Sequence, residues 1–271
     1  MVLIVGLVIG IVLGMTGAGG SVFAVPLLVN LLDLPMQQAI GLSLGAVAVS
    51  AAFGVLLKLR SGHIEWLPAG VFATLGSLGA PLGNWINRQF DEQILLVGFA
   101  VLVVIVALRM WKQASQNPEQ AAVVRAGSNK DDEENGAVCV MNEGKKFQIG
   151  LPCVMGMSAG AIATGILSGL FGVGGGFLIV PILLALTKIT IQQAVATSLV
   201  VIAVISSVGF GSFIMYGNAV STNVLSFLAL GGIAGMAVGI FASKYIAGPV
   251  LQKIFSVLMI VILIVTLVIN L

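Results

Sequence analysis

Residues Gly172 to Leu183 read GVGGGFLIVPIL, and residues Gly17 to Leu28, 155 positions earlier, read GAGGSVFAVPLL. At the same offset and without a gap, MQQAIGLSL (Met36 to Leu44) faces IQQAVATSL (Ile191 to Leu199). Between Gly17 and Gly45, 12 of 29 positions are identical, including Gly17, Gly19, Gly20, Pro26, Gln37, Gln38, Ala39 and Ser43. Apolar composition alone does not reproduce such a series at one fixed spacing. The expected organisation is a duplication: a first transmembrane repeat over 1–112, a polar flexible linker over 113–147, and a second transmembrane repeat over 148–271.

The chain around these motifs is strongly apolar. Of its 271 residues 59% are hydrophobic and 8% charged, with a mean hydropathy of +1.15. A soluble fold could not cover its surface with so few polar side chains. Eleven of the charged residues lie between Lys112 and Lys146, whereas Val2 to Leu32 and Ile189 to Ser243 hold no Asp, Glu, Lys, Arg or His. A hydrocarbon core is crossed by about 20 apolar helical residues. Such runs must be helical, because lipid offers no partner to open N–H and C=O groups. Apolar segments fall at 2–32, 36–57, 66–87, 93–111, 148–187, 190–216, 222–243 and 250–271, with Trp66, Trp85, Trp111, Tyr216 and Tyr245 at their margins, where aromatic belts form. The expected fold is an all-α polytopic membrane protein of two homologous four- or five-helix halves. Its first segment lacks a basic n-region and a cleavage pattern, and reads as a retained span.

Segments 2–32 and 148–187 are too long for one straight crossing. A helix of 31 residues would measure about 46 Å against a core of about 30 Å. Each must bend or unwind at its glycine cluster, and Pro26 and Pro181 are expected to be further structural breaks. With four crossings per half the repeats run parallel; if the glycine-broken segment folds back as a hairpin, each half has five and the repeats are inverted. In the four-crossing version Lys58, Arg60, Arg109, Lys112, Lys145 and Lys146 share one side, and Arg88, Lys188, Lys244 and Lys253 the other. That bias favours a cytoplasmic linker and cytoplasmic termini.

Paired interruptions in two halves point to a transporter site, since irregular backbone is tolerated at membrane depth only where it is buried or lines a cavity. In Gly17, Gly19, Gly20 and Ser21, and in Gly172, Gly174, Gly175 and Gly176, glycine allows successive N–H groups to point into one cavity. A helix restarting after the cluster adds the positive end of its dipole. The alternative is close helix packing, the role expected for Gly6, Gly10 and Gly14 and for Gly231, Gly235 and Gly239. Neither cluster is a nucleotide motif, because Val22 and Phe177 replace the third glycine of G-x-G-x-x-G. Gln37, Gln38, Gln192 and Gln193 open the following helices, where their amides can bind an oxyanion or cap a helix end. Ser43, Thr197 and Ser198 lie further in, where hydroxyls contact substrate or their own helix's carbonyls. His63, the single histidine, stands beside Glu65 in a short connection, and is read as an interfacial loop residue ahead of a proton carrier.

Other classes fit poorly. A net charge of +2 gives no basis for a nucleic-acid partner. Cys139 and Cys153 have no metal or disulfide spacing, and one histidine without intramembrane carboxylates supplies neither a metal set nor an acid–base pair. No enzyme activity, metal or cofactor is expected.

The paired motifs G-x-G-G-x-x-x-x-V-P and Q-Q-A-x-x-x-S-L, in two hydrophobic halves joined by a polar loop, resemble the TauE/SafE family of sulfite and organosulfonate exporters, related to the toluene-sulfonate uptake permeases. The resemblance covers the chain apart from the linker and is stronger in the second copy; the first has Ser21 for the third glycine of the run and Leu42 where Thr197 stands. It implies transport of a small sulfur-containing or carboxylated anion, driven by an ion gradient, across a bacterial inner membrane.

The leading reading is a secondary transporter, an exporter by resemblance, for a small anion such as sulfite, thiosulfate or an organosulfonate. In this reading the two breaks converge near the bilayer midplane, and the anion is bound by their backbone amides. Its partners are that substrate, membrane lipid, and a coupling proton or sodium ion; the sequence sets neither the direction of transport nor the oligomeric state. A passive anion channel and a membrane scaffold or assembly protein without flux are the alternatives.

Overall fold

Uninterrupted apolar residues sustain helices here, and a left-handed glycine ends the first of them. In the computed structural model of the chain, α1 (Val2–Thr16) stops at Gly17, whose φ of 67° lies in the left-handed region that favours glycine. The chain resumes as α2 (Gly20–Leu32), α3 (Met36–Leu59), α4 (Trp66–Asn87) and α5 (Glu92–Gln116). A two-residue antiparallel ladder, β1 (Val140–Met141) with β2 (Phe147–Gln148), precedes α6 (Leu151–Phe171), α7 (Gly176–Leu186), α8 (Ile191–Met215) and α9 (Thr222–Ala242). The structure describes residues 1–17, 20–32, 34–59, 62–116, 140–141, 147–148, 151–187, 189, 191–216, 221–243, 257 and 260–261. Most of the expected linker and of the segment at 250–271 lies outside them.

Among the described residues Met36–Leu59, Gln192–Met215 and Thr222–Ala242 are long and apolar enough to cross a membrane, and the fold is that of an all-α, multi-pass membrane protein. Helices α6, α7, α8 and α9 end within one residue of the positions 155 after the ends of α1, α2, α3 and α4.

Two glycine seams fix the helix order. In the first, Gly6, Gly10 and Gly14 on α1 abut the backbone of Leu228, Gly232 and Met236 on α9, while Gly231, Gly235 and Gly239 abut the carbonyls of Leu3, Leu7 and Ile11. A Cβ on Gly14 would stand 2.7 Å from the Met236 carbonyl oxygen, so larger side chains would force the helices apart. In the second, Gly76, Gly79 and Gly83 on α4 lie against the backbone of α6, where Gly165 and Gly169 return the contact. The residue numbers rise together along both seams, so α1 is parallel to α9 and α4 to α6. Each seam joins a helix of the first half to one of the second, and these are the largest helix–helix interfaces in the described structure.

Helices α3 and α8 cross between the seams in opposite directions. Gly41 meets the Phe213 ring, Gly45 meets Phe210, and Gly54 approaches Leu199, so the numbers run counter to each other. The first turn of α8 therefore lies at the end of the bundle where α3 finishes. Of the two arrangements the sequence leaves open, this one is unlike the parallel four-crossing form: α3 and α8, 155 residues apart, run antiparallel, and α1 packs on α2 and α6 on α7. The prolines require a correction as well. Pro26 lies inside α2 and Pro181 inside α7 without ending either, because neighbouring helices can absorb one missing N–H. The interruptions are at glycine alone.

Candidate functional site

Each hairpin tip is tied to the opposite half by one hydroxyl. At the first break, the Gly17 N–H donates to the Leu13 carbonyl at 2.7 Å, and its own carbonyl accepts from Ser198 Oγ on α8 at 2.9 Å. At the second, the Gly172 N–H donates to the Ser168 carbonyl at 2.9 Å, and its carbonyl accepts from Ser43 Oγ on α3 at 2.6 Å. Ser43 and Ser198 also donate to carbonyls of their own helices, Ile40 and Val195. Thus both serines brace the breaks.

The second break is described throughout, and residues 172–176 are buried. Gly172, Gly174 and Gly175 have φ of 68°, 65° and 66°, and α7 restarts at Gly176 with Gly175 as its N-cap. A Cβ would meet the Ile40 Cα at 2.7 Å from Gly172, Ser206 Oγ at 2.8 Å from Gly174, and the Thr164 carbonyl oxygen at 2.8 Å from Gly175. Among the described residues the N–H groups of Val173, Gly174 and Gly175 have no hydrogen-bond acceptor. Of the first break, Gly19 lies outside the described residues; Gly20 opens α2 and Ser21 follows it in the helix.

The two capping glycines, Gly17 and Gly172, lie at different depths. Gly54 on α3 is level with Leu199, so Ser198 is about twelve residues from Ser43 along the pair, roughly 18 Å at about 1.5 Å per residue. The capping glycines therefore sit toward opposite ends of the bundle. Gly174, beside Val47, Ile202 and Ser206, is the described break residue nearest the middle of α3 and α8.

The glutamines divide by position. Gln37, Gln38 and Gln192 are exposed at the starts of α3 and α8. Gln193 donates from Nε2 to Glu65 Oε1 at 2.9 Å, and Thr197 Oγ1 accepts the Glu65 backbone N–H at 3.0 Å. These two bonds latch the start of α4 to the second turn of α8. His63 is exposed in the connection between α3 and α4.

At the far end of α4, a small pocket is lined by Gln37, Asn84, Asn87, Arg88, Phe213 and Tyr216. Asn84 Nδ2 donates to the Gly209 carbonyl at 2.9 Å and to Ser212 Oγ, and Asn87 Nδ2 donates to the Leu170 carbonyl at 2.7 Å, two residues before the second break. The Arg88 guanidinium donates to the Tyr216 carbonyl at 2.7 Å and lies 4.5 Å from that ring's centre. Since Gln37 lies one turn before Ile40, a neighbour of Gly172, this polar pocket lies near the second break.

Sequence reasoning missed Asn84 and Asn87, and also two hydroxyls beside the break. Ser168 and Ser206 are fully buried, and among the described residues neither Oγ has a partner. The signal was available: 155 positions earlier stand Leu13 and Ala51, so polarity enters one copy only.

The whole chain, rather than this site alone, has sequence relatives. The family model described as "Sulfite exporter TauE/SafE" matches residues 2–266. The chain belongs to the TauE/SafE sulfite exporter family. A "Probable membrane transporter protein" of Xylella fastidiosa is 31% identical over 255 residues, covering 93% of this chain and 88% of that protein. "Probable membrane transporter protein YunE" of Bacillus subtilis is 26% identical, covering 88% of this chain and 87% of its own. A "Probable membrane transporter protein" of Methanocaldococcus jannaschii is 24% identical, covering 94% and 86%. No solved structure matches the chain. Family and relatives agree with the fold: this is a membrane transporter, and its partners are a small substrate and the surrounding lipid.

Proposed function

We propose that the chain is a secondary transporter, an exporter by its family, of a small anion such as sulfite, thiosulfate or an organosulfonate, and that backbone amides at the glycine-broken helices bind it. The observation that carries this reading is the buried run Val173–Gly175, whose N–H groups find no described acceptor. Amides at the N-terminal end of α7 suit a negative ligand, because the helix dipole adds to their partial charges. The family description supports the substrate class.

The halves are proposed as inverted repeats, supported by helix ends 155 residues apart and by the antiparallel α3 and α8. In that topology the end of the bundle where α3 finishes also carries the end of α5, the start of α8 and the end of α9. Ten of the 12 Lys and Arg residues border those helix ends or lie in the linker, whereas Arg88 follows the end of α4 on the opposite face. An excess of cations marks the cytoplasmic side, which supports a cytoplasmic linker in a bacterial inner membrane. A proton or sodium ion is the proposed coupling partner.

Purified protein in liposomes tests the reading against a panel of sulfite, thiosulfate, sulfoacetate and formate under imposed pH and sodium gradients. A transporter gives saturable flux that responds to a gradient; unsaturated flux indifferent to both would make it a channel. Absence of flux for every anion would reject transport of this class.

A further inference from the structure

The repeat positions around the two breaks are chemically unequal. Around the second stand Thr164, Ser168 and Ser206; 155 residues earlier the same positions hold Ile9, Leu13 and Ala51. All six are buried, at 0% or 1% exposure. Thr164 spends its hydroxyl on the Gly160 carbonyl of its own helix. Buried serines in membrane helices ordinarily do the same, and Ser43, Ser50, Ser198 and Ser212 here all donate to a carbonyl three or four residues back. Ser206 and Ser168 do not.

A buried hydroxyl without a partner is costly, by about 1–3 kcal/mol from mutational data. Ser206 Oγ stands 2.8 Å from the position a Cβ would take on Gly174, so it is aimed at the break. Ser168 lies one helical turn beyond Thr164, which touches Gly175, and is four residues from Gly172. Around the break the described neighbours Ile40, Ser43, Val47, Thr164, Ile202 and Ser206 carry no charge.

We propose that the anion occupies the second break alone, held by the Ser206 and Ser168 hydroxyls with the amides of Val173, Gly174 and Gly175, and that the first break is its apolar structural counterpart. This rests on the transporter reading and deepens it. Neutral donors without a buried cation favour a singly charged oxyanion, such as hydrogen sulfite or a sulfonate, over doubly charged sulfate, whose second charge would go uncompensated.

The test measures KM for radiolabelled sulfite in liposomes and the unfolding temperature in detergent for wild type, Ser206→Ala, Ser168→Ala and Ala51→Ser. Hydrogen bonds to a charged partner are worth about 1.5–3 kcal/mol, so each serine variant should raise KM about tenfold or more. Neither should unfold at a lower temperature, since no protein partner is lost, and Ala51→Ser should leave KM within about twofold. Methanesulfonate should compete with sulfite where equal sulfate does not. Unchanged KM in both serine variants, with wild-type flux intact, overturns the one-sided site and leaves the transporter reading standing. A KM rise matched by a fall in unfolding temperature assigns the hydroxyls to structure and also overturns it. Equal competition by sulfate overturns the preference for single charge. Absence of wild-type flux removes both proposals together.

Discussion

The Ser43 hydroxyl reaches across the bundle to the carbonyl of Gly172 at 2.6 Å, and 155 residues further on Ser198 does the same for Gly17 at 2.9 Å. Both glycines are in the left-handed conformation at the end of a helix. Each hairpin of one half is therefore pinned by α3 or α8 of the other. Replacing either serine with alanine leaves a buried carbonyl short of a donor, which costs about 1–3 kcal/mol. Ser43→Ala and Ser198→Ala should each lower the unfolding temperature in detergent by several degrees. A variant as stable as wild type would show that the hydroxyl does not brace the tip.

Glycines at the second break should be far less replaceable than a helix glycine that faces open space, such as Gly211. Gly172→Ala must adopt a φ near 68° and place its Cβ 2.7 Å from the Ile40 Cα, a backbone atom that cannot rotate away. The left-handed conformation alone costs an L-residue about 1–2 kcal/mol. Gly211, inside α8, has no atom within 4 Å of a built Cβ, so Gly211→Ala should hold or raise stability by up to about 1 kcal/mol. Unfolding temperature and initial flux, measured side by side, check the contrast; equal tolerance at both sites contradicts it.

How far the sequence could be read depended on the scale of the physics involved. Helices α3, α4, α8 and α9 were legible to within two residues, because the demand for apolar length in lipid is strict and local. Packing at Gly6, Gly10 and Gly14 was legible too, since small residues four apart fall on one helix face. Direction was not, because whether Gly17 ends a helix or kinks it depends on one φ angle and on Ser198, 181 residues away. Pro26 misled for a related reason: a proline in a bundle can be accommodated by its surroundings, which a linear reading does not see. At the site, the shared motifs drew attention to what the two copies have in common. Ser206, Asn84 and Glu65 lie where they differ, opposite Ala51, Gly239 and Val220.

The latch between α4 and α8 gives a prediction of a different kind. Thr197 accepts the Glu65 N–H, and Gln193 donates to its carboxylate; 155 residues earlier Leu42 and Gln38 occupy those positions. Thr197→Val keeps the shape but strands the Glu65 amide, and should cost about 1–3 kcal/mol. Gln193→Ala removes a partly exposed bond and should cost at most about 1 kcal/mol. Unfolding of the two variants in detergent ranks them, and a Gln193 variant weaker than Thr197→Val would reverse the order of importance.

Arg88 supplies the last prediction, because among the described residues it is the one Lys or Arg on its face of the bundle. Its guanidinium is fixed by the Tyr216 carbonyl and ring at the pocket it shares with Asn87, which binds the Leu170 carbonyl near the second break. A fixed cation beside this pocket raises the local concentration of anions, and salt screens the effect over a Debye length of about 10 Å at 0.1 M. Arg88→Gln should therefore raise KM several-fold at low ionic strength, with little change in the maximal rate. Wild type and variant should converge as salt is added. Lysine keeps the charge but loses the planar stacking on Tyr216, so Arg88→Lys should fall between them at low salt. Initial rates of sulfite flux in liposomes, taken across a salt series, separate the outcomes. If instead Arg88→Gln lowers the maximal rate equally at every salt concentration, Arg88 acts by holding α4 to α8 through Tyr216, and steering plays no part.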